Sequence, residues 1–166
     1  MNLLIWRHAD SAPGNPDESH PLTALWVQQA KYISAWIKDN VPSPYRVFDS
    51  PALRARQTAA ELVDHYEAVD DFQYHSELAS GIAVLNHADW PNADLTTVFV
   101  GHQPNVGRVN SLLHSGVEKN TNIEGGSLWW FSSNHDKKNK LALLKLVVSA
   151  NADKNHATSF CKVVNS

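Results

Sequence analysis

Two short β-rich runs, "LLIW" at residues 3–6 and "TTVFV" at 96–100, constrain this chain more than any other feature. The first reads as a buried strand. The second, β-branched and aromatic, reads as a strand closed by Gly101. Each is followed at once by residues that could do chemistry: Arg7–His8 after the first, Gly101–His102 after the second.

Helical patterns separate the strands. Residues 22–39 carry Leu22, Trp26, Ile33 and Ile37 at spacings near 3.6. "SPALRARQTAAELVDHY" begins with Ser50 as an expected N-cap and Pro51 at the first helical position. "QPNVGRVNSLLHSG" has Pro104 near a helix start and Gly116 as its stop. Arg46–Asp49 is a further short strand candidate. "SLWWF" and "LALLKLVVS" predict two late strands, joined by the polar loop around Asn134–Asn139.

Strands alternating with helices predict an α/β fold: a single-domain three-layer sandwich with a mostly parallel central sheet and helices on both faces. The domain is expected over residues 1–149, with 150–166 as a C-terminal tail. In such sheets ligands bind beyond the carboxyl ends of the strands. If the two β-rich runs are parallel, both histidines stand on that rim.

Composition excludes several classes. A chain of 166 residues favours one domain with a core of its own. The net charge is -3, and the basic residues form no run longer than Lys137–Lys138, which argues against nucleic acid as a partner. The single cysteine, Cys161, excludes an internal disulfide and fits a reducing compartment. The apolar start is too short for a signal sequence, and no run approaches the ~20 residues that span a bilayer. A cytoplasmic protein without a membrane partner is expected. The nine histidines show no metal-binding spacing, so neither metal nor cofactor is expected. His65, His75, His87, His114, His135 and His156 are read as surface or structural residues.

Four features could act together: Arg7–His8, Arg54, Glu77 and His102. Arginine forks match phosphate oxygens bidentately. Arg54 lies one turn into its helix and leans back toward an N-terminus that favours anions. Two histidines at strand ends can supply a nucleophile and a donor to phosphoryl oxygens. Each of these residues taken alone is better read as a structural or solvated side chain.

The stretches "LLIWRHAD", "HPLT", "SPALRARQT" and "VGHQP" resemble, in order and spacing, the histidine phosphatase superfamily (phosphoglycerate mutase-like). They are most similar to its short bacterial branch, the SixA-type phosphohistidine phosphatases. The resemblance covers residues 2–115 and continues through "GGSLWWF". It implies that His8 is the nucleophile and that Arg7 and Arg54 clamp phosphate. His102 would contact the phosphoryl oxygens, and Glu77 would stand near the place of the family's proton donor. Larger relatives carry that donor on an inserted helical region, for which this chain is too short. The implied activity is a metal-independent phosphatase, with a phosphorylated histidine-containing protein or a small phosphate ester as substrate and phosphate as product. A monomer or weak dimer is expected.

Two positions depart from the pattern. His20 stands where the family commonly has arginine before "PLT", and is retained as a substrate-binding candidate. Trp26 stands where the family commonly has glycine. Both concern the substrate mouth. Two rival readings remain: a small-molecule phosphomonoesterase of the same superfamily, and a phosphoprotein-binding module without catalysis.

Overall fold

A computed structural model describes residues 1–8, 20–50, 52–62, 80–133 and 142–149. The elements follow in the order β1 (Asn2–Arg7), α1 (Ala24–Asn40), β2 (Tyr45–Asp49), α2 (Leu53–Ala60), α3 (Gly81–His87), β3 (Thr96–Gly101), α4 (Asn105–Ser115), β4 (Leu128–Ser132) and β5 (Leu143–Val148). Glu77, the loop at 134–141 and the tail at 150–166 lie outside the described residues.

Both β-rich runs are strands, and they are neighbours. The sheet order is β2-β3-β1-β4-β5. β1 and β2 each pair with β3 in parallel, and β4 pairs antiparallel with both β1 and β5. Among the described strands β4 therefore runs against the other four, and the sheet is mostly parallel as predicted. The β1–β3 register ends on Arg7 opposite Gly101. His8 and His102, each one residue further on, thus leave the sheet at the same level of the same rim.

Strand alternation divides the apolar residues between two faces. Leu4, Trp6, Val47, Val98 and Val100 face Ala30, Ile33 and Ile37 of α1 and Ala55 and Ala59 of α2. Leu3, Ile5, Phe48 and Phe99 face Val84 of α3 and Val106, Val109 and Leu113 of α4. Leu3, Leu4, Ile5 and Trp6 are at most 1% exposed. Burying each such side chain contributes on the order of 1.5–3 kcal/mol. That anchorage fixes where the strand's polar end must emerge.

Three local readings need correction. The first helix begins at Ala24, because Thr23 caps it by accepting from the Trp26 N–H; Leu22 precedes it. The second begins at Leu53, with Ala52 at the N-cap. Ser50 does not cap it: its N–H still donates to Val100 O at 3.0 Å, so the residue belongs to the sheet rim. The sequence reading also passed over α3, a seven-residue helix capped by Ser80.

Candidate active site

The site grows from the end of β1. Beyond the strand, the His8 N–H donates to Gly101 O at 3.0 Å, and the Arg7 N–H donates to Ser127 O at 3.0 Å. The pair is held between β3 and the segment leading into β4. That segment also approaches from above, with the Gly126 N–H 3.4 Å from His8 O. His8 is 5% exposed.

Arg54, the second residue of α2, is equally buried, and its Nε donates to His8 Nε2 at 3.0 Å. A guanidinium can only donate. His8 Nε2 must therefore carry the lone pair, which assigns the neutral ring with its proton on Nδ1. The hydrogen bond thus sets an unprotonated ring nitrogen against a fixed cation.

His102 follows β3 and is half-buried. Its carbonyl accepts from the Asn105 and Val106 N–H groups, which starts α4. Its Nδ1 lies 3.1 Å from Ser50 Oγ. The His8 and His102 ring centroids are 6.2 Å apart, tilted by 46°. Ser50 stands beside His102, whereas the sequence reading assigned it to helix capping. The available signal was its place at the end of a strand candidate, on the same rim as both histidines.

Arg7 takes the other side. Strand alternation puts it with Leu3 and Ile5 rather than with His8, and its Nη1 donates to the carbonyl of buried Ile123. The loop carrying that carbonyl is tied to the α4 side: Gln103 Nε2 donates to Thr121 O at 3.1 Å, and Arg108 Nε to Asn120 Oδ1 at 2.8 Å. The structure therefore joins His8 to Arg54 directly, sets the Ser50-bonded His102 ring 6.2 Å from that of His8, and anchors Arg7 on Ile123.

His20 is half-buried, two residues before a tether in which the Leu22 N–H donates to Gln57 Oε1 at 2.7 Å. It belongs to neither the Arg54–His8 nor the Ser50–His102 hydrogen bond. Trp26 reaches the rim from α1. Its ring is 3.9 Å from where a Cβ on Gly126 would stand, and Gln29 Oε1 is 3.2 Å from the same point.

The electrostatics favour an anion. The first turns of α1, α2 and α4 contain no acidic residue. Each strand-to-helix connection at this rim presents a helix N-terminus, whose free N–H groups and dipole are positive. Arg54 adds a full positive charge beside one of them, which a helix N-terminus alone disfavours. An oxyanion would relieve both. Among the described residues, no group of three His, Cys, Asp or Glu side chains could hold a metal ion, and no helix is long and apolar enough to cross a membrane.

No family model matches the chain. An uncharacterized protein of Picosynechococcus sp. is 33% identical over 116 residues, spanning 64% of this chain and 69% of that protein. Among solved structures, the protein histidine phosphatase SixA complexed with tungstate superposes with a TM-score of 0.70 at 22% identity, covering 90% of this chain and 97% of that one. The phosphoserine phosphatase of Entamoeba histolytica, in complex with 3-phosphoglyceric acid, gives a TM-score of 0.62 at 17% identity, covering 91% and 98%. The chain shares the fold of these solved phosphatases, and it belongs to the family of the Picosynechococcus protein.

Proposed function

We propose that this chain is a phosphatase working through a covalent phosphohistidine on His8, and that its substrate is a phosphohistidine on another protein. The observation that carries the reading is the Arg54 Nε to His8 Nε2 hydrogen bond, 3.0 Å long. It sets an unprotonated ring nitrogen beside a guanidinium, as nucleophilic attack on a charged phosphoryl group requires.

In the first step the Nε2 lone pair forms a bond to phosphorus. The bond from phosphorus to the leaving group breaks, and its electron pair goes to that group. In the second step water attacks phosphorus. The P–Nε2 bond breaks, the pair returns to His8, and phosphate leaves with the oxygen of water. The phosphoryl group carries about -1.5 to -2 charge near neutral pH. Positioning and charge stabilisation dominate such transfers. Arg54, Arg7 and His102 supply donors, and Arg54 can pass from Nε2 to the phosphoryl oxygens as the substrate arrives.

The substrate preference follows from the leaving group. An alkoxide leaves badly and needs a proton from an acid, the role the family resemblance gives to Glu77. A phosphohistidine ring protonated at its distal nitrogen leaves as neutral imidazole and needs no such acid. The likeness to a protein histidine phosphatase supports this choice, and tungstate, a tetrahedral oxyanion like phosphate, suits the same kind of pocket. The likeness to a phosphoserine phosphatase supports the rival, a small-molecule phosphomonoesterase.

The test is a direct comparison. The protein is incubated with a histidine-containing protein phosphorylated on its imidazole and, separately, with phosphoserine. Faster turnover of phosphoserine would sink the substrate claim. Rapid quenching with labelled substrate should trap an acid-labile phosphoprotein, and His8→Ala should not label. A labelled His8→Ala protein would remove His8 as the acceptor.

A further inference from the structure

Five of the six tryptophans are accounted for by packing. Trp6 is in the core; Trp36 and Trp130 meet edge to face at 6.3 Å on the first cluster; Trp90 and Trp129 pack against the second. Trp26 belongs to neither cluster of the described residues. It is the outermost member of the stripe that continues inward through Gln29, Ala30, Ile33 and Ile37, and it alone of them is half-exposed. Its Cζ3 lies 3.9 Å from where a Cβ on Gly126 would stand, and the Gly126 N–H is 3.4 Å from His8 O. A half-exposed indole therefore stands next to Gly126, the residue whose N–H approaches the His8 carbonyl.

We infer that Trp26 is a specificity-determining residue, the aromatic wall against which the imidazolium of a phosphohistidine substrate stacks. The inference rests on the phosphohistidine reading and adds the group that would select that substrate. A phosphorylated imidazole protonated at its distal nitrogen is a flat cation, and tryptophan is the strongest aromatic partner for one. An alcohol phosphate offers no such ring.

The charge balance says where the effect must appear. As the P–N bond breaks, its pair returns to the leaving nitrogen and the ring loses its positive charge. The attraction is therefore stronger in the bound substrate than in the transition state, so its loss raises KM and leaves kcat unchanged or slightly higher.

Trp26→Met removes the π-surface and keeps the apolar bulk. It should raise KM for the phosphohistidine protein about 3- to 30-fold. Its kcat should not fall, and its inhibition by inorganic phosphate, which has no leaving group, should stay as in the wild type. Trp26→Phe should fall between the two. A measurement on the unaltered protein runs in parallel. With phosphate saturating the site, imidazole below about pH 6.5, where it is a cation, should shift the Trp26 indole N–H resonance and leave that of buried Trp6 in place. An unchanged KM in Trp26→Met, or an unmoved Trp26 resonance, overturns the inference while the functional reading stands. If the wild type does not hydrolyse phosphohistidine at all, that reading falls and this one with it.

Discussion

Arg54 and His8 lie 46 residues apart in the chain and meet as a buried hydrogen-bonded pair, Nε to Nε2, at 3.0 Å. Both are 5% exposed. A guanidinium placed there carries a desolvation cost and lies against the positive end of α2. Such an arrangement trades stability for readiness to bind an anion. Arg54→Met should therefore melt about 2–4 °C higher than the wild type while losing activity. Arg54→Lys should lose it too, because an ammonium cannot reproduce the fork. A drop of about 10²–10³ in kcat/KM is expected for either. Calorimetry and steady-state kinetics on the same two variants check both halves.

His102 is held by Ser50, whose hydroxyl sits 3.1 Å from its Nδ1. That contact orients the His102 ring. Ser50→Ala should lower kcat about 10-fold, the effect of losing one hydrogen bond of ~1–1.5 kcal/mol. Phosphate inhibition should weaken less than in Arg54→Lys. An unchanged kcat would mean that the backbone after β3 orients His102 by itself.

Much of this was legible in the sequence for a simple reason. A continuous run such as Leu3–Trp6 can be satisfied only inside a sheet covered on both faces, so the position of Arg7–His8 at its end follows from burial. The helix after Ser50 was legible too, but not its first residue. Ser50 could cap a helix or face a histidine, and only the parallel pairing of β2 with β3 decides between them. Arg7 and His8 read as one unit, yet a period of two sends them to opposite sides, and the Ile123 carbonyl that receives Arg7 has no side-chain signal at all. The direction of β4 depends on a connection rather than on a pattern. α3 is too short to show a helical period.

Gly126 adopts φ +70 beside the His8 carbonyl. A side chain there meets backbone strain and, at 3.2 Å, Gln29 Oε1. Gly126→Ala should cost about 1–2 kcal/mol of stability, read as a lower urea midpoint with an unchanged slope. Because the same segment takes the Arg7 N–H through Ser127 O, activity should fall more than stability alone explains. The check is kcat measured at a temperature where the variant is fully folded.

Tyr45 gives a pH signature independent of the site. Its hydroxyl donates to Val41 O at 2.8 Å, and burial raises its pKa above the ordinary 10.0. The folded state then holds a proton that the unfolded chain releases near pH 10. The stability linked to this group is complete below that pH and declines as pH rises beyond it. Tyr45→Phe removes both the titration and the hydrogen bond. It should cost about 1 kcal/mol at neutral pH, and its stability should decline less steeply than the wild type's above about pH 10. Urea unfolding from neutral into alkaline pH checks this. Parallel curves for the two proteins above pH 10 would show that Tyr45 titrates alike in the folded and unfolded chains.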